Sequence, residues 1–175
     1  MQRGALLAVL IGLCIFSIPG SAQGPAVQLC VAGMQVAGSS ASDTVGRELL
    51  IKFLNKEKPD KALPIENVPI PPAVPEDALA FSKQKGCDYL VTTNQTEVHS
   101  DSSWGSGPGA TSLNIQTFFV TTAYRLTKVS DGAEMSSGPI KASDKGSEQN
   151  AIGFTMKKIA DKVTEAIRKA GPIAK

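Results

Sequence analysis

The segment from Val27 to Val36 carries no charge and is mostly apolar on both of its alternating faces. A β-strand of this composition is normally buried on both sides of its sheet. We therefore expect this strand to lie inside a sheet against which helices pack, and the rest of the chain has to supply that cover.

Three later segments have the apolar spacing and the end signals of helices. The first is expected to have Ser42 as its N-cap and to bury one apolar stripe between Val45 and Leu54. The second begins at Pro75 and ends at Gly86. Two acidic residues directly after Pro75 suit the positive end of the helix dipole. The third and clearest is an amphipathic helix from Ile152 to Ala170.

Four further segments are predicted to be strands. Six prolines from Pro59 to Pro75 leave room for only a short strand at Ile65–Ile70, which we place at a sheet edge. Segments rich in β-branched and aromatic residues follow at Cys87–His99 and Ile115–Val129, and a last strand is expected at Ala133–Ala142.

Polar segments between these strands predict the connections. Ser100 to Ser112 is expected to be a loop, and Asp131-Gly132 suits a two-residue hairpin turn. The resulting order is β-α-β-α-β-β-β-α. Crossovers through helices require parallel neighbours and hairpins require antiparallel ones, so we expect an α+β fold with a mixed sheet of about five strands and about three helices.

Residues 1–22 have the pattern of a secretion signal. Arg3 precedes an uncharged apolar run from Ala5 to Ile18, and Gly20-Ser21-Ala22 puts small residues before the expected cleavage point. The run is shorter than the roughly 20 residues that cross a bilayer; an uncleaved anchor and a lipid anchor at Cys14 are the alternatives. We expect residues 23–175 to form a single α+β domain, periplasmic or secreted, that does not span the membrane.

The charge balance and the histidine content argue against several classes of function. The chain has 18 basic and 16 acidic residues, a balance that gives no electrostatic signature of nucleic-acid or anionic-lipid binding. A single histidine cannot build a multi-histidine metal site. No phosphate-binding, dinucleotide-binding or zinc-protease motif occurs, so we expect neither a metal nor a cofactor.

Three short patterns occur in order along the chain: GCDYLVT at Gly86 to Thr92, AYRLTKVSDG at Ala123 to Gly132, and KIADKV at Lys158 to Val163. They resemble the strand entry, the hairpin and the terminal helix of the small envelope domains grouped around the TolB amino-terminal domain, the lipoprotein LpoB and the curli secretion protein CsgG. The resemblance implies a mixed-sheet domain that docks to envelope proteins, without catalytic residues. It does not extend to the pore-forming insertions or the lipid anchor of the curli protein.

Cys30 and Cys87 are a candidate disulfide. They belong to the first and third expected strands, which would be neighbours in this topology, and an exported chain meets oxidising conditions. Bridging needs Cα atoms within about 7 Å, which a sequence does not establish. A disulfide and two buried thiols are therefore both open.

Trp104 is the candidate partner contact. It is the only tryptophan of the chain and lies in the expected Ser100–Ser112 loop. It is either a buried anchor of that loop or an exposed docking residue, because aromatic side chains dominate binding hot spots.

Two weak patterns point to catalysis. Ser82 and Lys85 match Ser-x-x-Lys, but the Lys-Thr-Gly element that accompanies it in serine hydrolases is missing. His99, with Asp101 nearby, could serve as a general base, but a solvated histidine at a strand end is the simpler interpretation and the one we favour. We expect no enzyme but an exported domain that mediates protein–protein interaction in the cell envelope, with an envelope protein as its partner. A small-ligand-binding periplasmic protein and an unrecognised hydrolase are the alternatives.

Overall fold

The computed structural model describes residues 26–36, 43–56, 64–70, 75–105 and 113–171. The predicted signal at residues 1–22, with Cys14, lies outside them. The elements, in chain order, are β1 (Val27–Val31), β2 (Gln35–Val36), α1 (Asp43–Lys56), β3 (Ile65–Pro69), α2 (Pro75–Gln84), β4 (Tyr89–Gly105), β5 (Leu113–Lys128), β6 (Glu134–Lys145) and α3 (Glu148–Ala170). The predicted α+β class, with a mixed sheet and three helices, is confirmed.

The strands form one sheet in the spatial order β3-β1-β4-β5-β6, and β2 also pairs with β4. Strand β1 is parallel to β3 and β4, and β2 is parallel to β4. Strands β4, β5 and β6 are antiparallel neighbours. The short strand β3 between the prolines lies at one end of this order, as predicted, and β6 lies at the other.

The predicted single strand from Val27 to Val36 is wrong in its continuity, because β1 ends at Val31 and β2 has two residues. Between them Met34 is fully buried. A Cβ atom at Gly46 of α1 would lie 2.8 Å from the Met34 side chain, so helix and chain meet there as closely as a glycine permits. The chain therefore leaves strand geometry where the Met34 side chain packs against α1.

Helices α1 and α3 cover one face of the sheet and form the larger core with it. The apolar stripe of α3 is buried as predicted from Ile152 to Ile167, but Ala170, the last residue of the predicted helix, is exposed. The helix begins earlier than Ile152, because the Ser147 side chain accepts a hydrogen bond from the Asn150 N–H (3.2 Å) and caps it before Glu148. At its other end Gly171, with φ 73°, donates its N–H to Ile167 (3.2 Å).

Helix α2 covers part of the opposite face and forms the smaller core. Pro75 begins it and Gly86, with φ 70°, follows its end, as predicted. The buried members of this core are Cys30, Ala32, Ile70, Ala78, Cys87, Leu90 and Val129. Leu29 and Val31 of β1 belong to the larger core, so β1 is buried on both faces as expected. Further along β4, β5 and β6, none of the described helices packs on the α2 side.

The β4–β5 hairpin is longer than predicted, and His99 is not at a strand end. The loop expected at Ser100–Ser112 is wrong in its first part, because β4 continues to Gly105 and pairs with β5 residue by residue; residues 106–112 lie outside the described part. Side-chain bonds cross the pair, such as that from Gln116 Nε2 to Ser100 Oγ (3.1 Å). Serine and aspartate favour loops in isolation, but pairing with the neighbouring strand overrides that preference here.

The connection from β5 to β6 spans residues 129–133, so the predicted two-residue turn is wrong. Val129 is buried in the smaller core and donates its N–H to the Asp88 carbonyl (2.9 Å). This bond holds Val129 to the start of β4, and the chain turns only after it. Gly132 supplies the positive φ (74°) that the Asp-Gly pair indicated.

Candidate functional site

The uncovered face of β4, β5 and β6 is the candidate site, and we call it the open face. Side chains directly opposite each other in paired strands lie on the same face of a sheet. The register therefore puts six of these side chains in two rows of three across the strands. One row is Glu97, Thr121 and Lys141, and the other is His99, Phe119 and Ser143. They line an open cavity of about 720 Å³.

A β-bulge at Thr96 decides which side chains reach the open face. Before it, Gln95 pairs with Thr122, and both side chains are buried beneath the helices. After it, Glu97 pairs with Thr121. Alternation without the extra residue would point residue 97 into the larger core. The bulge thus turns Glu97 and His99 out to the open face.

His99 and its neighbours form a connected group. The His99 ring stacks on the Phe119 ring, with centroids 4.9 Å apart and planes 12° from parallel. His99 Nδ1 lies 3.3 Å from Glu97 Oε1, and Thr121 Oγ1 donates to Glu97 Oε2 (3.2 Å). The His99 and Glu97 side chains are 50% and 54% exposed, so water screens this pair strongly.

The cavity continues around the edge of β6 to the flank of α3. Its lining there includes Phe154, Lys157, Lys158 and Asp161. Phe154 is 48% exposed, an unusual state for a phenylalanine on a helix that packs against a core. Lys158 Nζ donates to the Lys141 carbonyl (3.0 Å) and so spans the gap between helix and strand.

A second depression of about 490 Å³ lies further along the same helix and strand. We call the two depressions together, where they lie between α3 and β6, the α3–β6 groove. Its second part is lined by Met135, Ser136, Lys162, Glu165 and Lys169, among others. Lys169 Nζ lies 2.7 Å from Glu165 Oε1, and this hydrogen bond lowers the pKa of the Glu165 carboxyl.

The two candidate cysteines are joined. Cys30 and Cys87 form a disulfide with their Cα atoms 5.8 Å apart. Both belong to the smaller core, at 0% and 6% exposure, so the bond ties β1 to the segment between α2 and β4. It lies away from the open face and is a structural feature of the covered part of the sheet.

The remaining candidates separate from one another. Trp104 lies near the end of β4 with its backbone opposite Asn114; its side chain is outside the described part, so its two alternatives stay predictions. Ser82 is fully buried in α2, and its hydroxyl donates to the Ala78 carbonyl (2.8 Å). Of the catalytic candidates, His99 lies in the cavity on the open face, and its acidic partner is Glu97 rather than Asp101.

Sequence reasoning missed the aromatic and basic residues around β6. Phe119 and Lys141 lie in no motif, and the KIADKV pattern that begins at Lys158 does not indicate a site. Strand pairing and helix packing bring these three residues together. Phe154 had a usable signal, since it stands off the apolar stripe of the closing helix. An apolar residue on the polar side of an amphipathic helix indicates a contact beyond the helix's own core.

The site combines hydrogen-bonding side chains, one aromatic stack and several ammonium groups on a wide surface. Within the described ranges, no three histidine, cysteine, aspartate or glutamate side chains are grouped as metal ligands. Among the helices of those same ranges, none has both the length and the apolar character to span a membrane. Such a surface suits contact with an extended partner.

No protein family and no curated protein matches the sequence. Solved structures do match. The lipoprotein GNA1162 from Neisseria meningitidis has a TM-score of 0.51 and 11% identity, over 79% of this chain and 99% of that one. The PelC dodecamer from Paraburkholderia phytofirmans has a TM-score of 0.47 and 13% identity, over 79% of this chain and 85% of that one. At such identity, the similarity to the Neisseria protein shows a shared fold.

Proposed function

We propose that this chain is a non-enzymatic exported domain that mediates protein–protein interaction in the cell envelope. Its contact surface is the open face together with the edge of β6. One observation carries the proposal: three antiparallel strands extend beyond the cover of α2, and their uncovered side presents an aromatic stack, Glu97 and Lys141. Folding alone does not require these side chains to be grouped there.

The shape of the surface favours a protein partner. Specific small-molecule sites bury most of their ligand within concave walls. Here the cavity wraps an open strand edge from His99 on one side to Phe154 on the other, so a small molecule would touch one side at a time. A polypeptide is long enough to contact both.

An envelope location has three supports. Residues 1–22 have the pattern of a secretion signal. Disulfides such as Cys30–Cys87 persist in oxidising compartments. The Neisseria protein that shares the fold is described as a lipoprotein, a class of protein held at envelope membranes. We further propose that the domain belongs to the TolB, LpoB and CsgG type, because it resembles those domains at the strand entry at Gly86 and at the β5–β6 hairpin.

Site-specific crosslinking in the native envelope tests this function. A photoreactive residue replaces Ser143 or Lys157, both at the cavity, and Lys52 of α1 serves as the matched control, because it is also an exposed helical lysine. We expect a discrete protein adduct from the first two positions and none from Lys52. Equal labelling from all three positions, or no adduct from Ser143 and Lys157, would contradict a docking surface here.

A ligand carrier is the second candidate, favoured by the volume of about 720 Å³ and the His99–Phe119 stack. A carrier should copurify with a small molecule that is lost in the Phe119→Ala variant.

An enzyme is the third candidate. Turnover of a substrate by the purified domain, abolished by His99→Ala without unfolding, would overturn the non-enzymatic proposal.

A further inference from the structure

The backbone of β6 offers hydrogen-bonding groups on its outer side. Gly146 donates its N–H to the Gln116 carbonyl of β5 (2.8 Å). Bonded pairs alternate with non-bonded pairs along antiparallel strands. The pairs of β5 with Lys141, Ser143 and Lys145 are therefore of the non-bonded kind, so the N–H and C=O groups of these three residues point away from β5. The Lys158 ammonium on the Lys141 carbonyl agrees with this direction.

Proline does not close this edge. Pro139 pairs with Ala123, which puts it in the same outward-facing series as Lys141. A proline at such a position lacks an outward N–H but leaves the bonds to β5 intact. It thus limits strand addition to the stretch after it, where Lys141, Ser143 and Lys145 keep their N–H groups.

The side chains along this edge are predominantly basic. Lysines outnumber carboxylates four to two among the charged groups of β6 from residue 141 onward and the α3 residues that line the first depression. The lysines are Lys141, Lys145, Lys157 and Lys158, and the acids are Asp144 and Asp161. Asp144 is engaged, since it accepts a hydrogen bond from Asn150 (3.4 Å).

We infer that the α3–β6 groove binds an extended acidic segment of a partner protein, which adds as a strand to the edge of β6 after Pro139. The inference rests on the proposed function and specifies the chemistry of the partner. Main-chain bonds to Lys141, Ser143 and Lys145 give the segment its register. Its carboxylates lie toward the lysines of α3, and an apolar side chain of the segment contacts Phe154.

A membrane surface is the competing occupant of a basic flank, and the structure favours the peptide. Asp161 and Glu165 lie on the same side of α3 as the lysines, which weakens attraction to a broad anionic plane. The lysines also border a groove with outward N–H groups, whereas a lipid headgroup layer has no extended backbone to pair with them. A strand with alternating carboxylates satisfies both features.

The first test uses a defined probe and NMR spectroscopy of the folded domain. The probe is a synthetic nine-residue peptide of alternating glutamate and valine. One control has lysine in place of glutamate. Two further controls are the glutamate peptide with alternate amides N-methylated, either along one edge of its strand or along the other. We expect amide shifts at Lys141, Ser143 and Lys145 with the glutamate peptide and none in β3. One N-methylated peptide should lose them and the other keep them, because only one edge of the probe pairs with β6.

The second test separates charge from backbone pairing. Lys157→Glu and Lys158→Glu should each weaken binding of the glutamate peptide about fivefold, a factor typical of exposed charge pairs, while Lys52→Glu on α1 leaves the binding unchanged. Ser143→Pro removes an outward N–H without touching a β5 bond and should abolish binding. Where that variant fails to fold, the pair of N-methylated peptides gives the same information on the wild-type chain.

Each of the following outcomes would overturn either the acidic-strand inference or the docking function. Equal binding of both N-methylated peptides and the unmodified one would reduce the site to electrostatics and overturn strand addition. Binding to phosphatidylglycerol vesicles, without binding of the glutamate peptide, would assign the flank to a membrane and overturn the inference. If Ser143 crosslinks to an envelope protein while the glutamate peptide does not bind, the acidic-strand inference fails and the docking function stands. If the peptide binds but no envelope crosslink forms, the docking function fails.

Discussion

The two halves of the sheet differ in how they are covered. Strand β1 and the start of β4 lie between helices on both faces, and Leu29, Cys30 and Val91 there are fully buried. The outer parts of β4, β5 and β6 have helix on one face only, and Ile115 on the other face is 37% exposed. The first half holds the fold together. The second leaves side chains free of a packing role, which is where binding surfaces are normally built.

The largest expected contrast between the halves comes from one substitution made in each. Ile70, which follows β3, is 1% exposed in the smaller core, whereas Ile115 of the outer hairpin is 37% exposed. Ile70→Ala should lower the free energy of unfolding by about 2–5 kcal/mol, because it removes buried methylenes and leaves a cavity. Ile115→Ala should lower it by less than about 1 kcal/mol. Urea denaturation measures both, and equal losses would show that the outer hairpin has its own core.

The disulfide is the next largest contribution to the covered half. Replacing both Cys30 and Cys87 by alanine should destabilise the domain by roughly 2–4 kcal/mol, because the bond restricts a long loop of the unfolded chain. Crosslinking from Ser143 should persist in this variant at temperatures where it remains folded. Mass spectrometry of the unreduced protein provides the check, and free alkylatable thiols at both positions would show that the bond does not form.

Replacing Trp104 in the outer half tests binding without a loss of stability. If its side chain is a docking residue, Trp104→Ala should leave the melting temperature nearly unchanged and weaken partner capture. Thermal unfolding followed by circular dichroism, together with the crosslinking yield from Ser143, separates the alternatives. A large drop in melting temperature would instead make Trp104 an anchor of the hairpin.

The smallest effect concerns Asp131 in the turn between β5 and β6. The Ala133 N–H donates to its carboxylate (3.0 Å), and this bond, with a contribution from Lys128, lowers the pKa of Asp131. A carboxyl whose pKa is lower in the folded state stabilises that state above the pKa of the unfolded chain, and this stabilisation is lost as the pH falls through the folded value. Asp131→Asn should remove a small part of the acid sensitivity of unfolding. An NMR titration that finds a raised Asp131 pKa would contradict the bond.

Local patterns in the sequence were enough for most of the covered half. The limits of α2, the stripe of α3, the edge position of β3 and the burial of β1 on both faces follow from proline, capping and periodicity. These signals act over a few residues along the chain, so a sequence displays them directly. The break after Val31 was missed because it lies beside the close contact of Met34 with Gly46 of α1, which no local pattern displays.

The site was largely beyond such patterns. Cys30, Cys87, His99 and Trp104 could be singled out by residue type, but the grouping of His99 with Phe119 and Lys141 depends on the bulge at Thr96. A one-residue insertion exchanges the two faces of a strand, and no local propensity marks where it occurs. The same holds for Lys158, which reaches β6 only because α3 packs beside it.

The sequence by itself determined the class of fold, the kinds of element and their order, because apolar spacing, prolines and capping residues act on neighbours along the chain. The tertiary structure decided which strand remained at the edge, which face of the hairpin stayed uncovered and which lysines border it. Those features depend on strand register and helix packing between segments far apart in sequence, and such contacts exist only once the chain has folded.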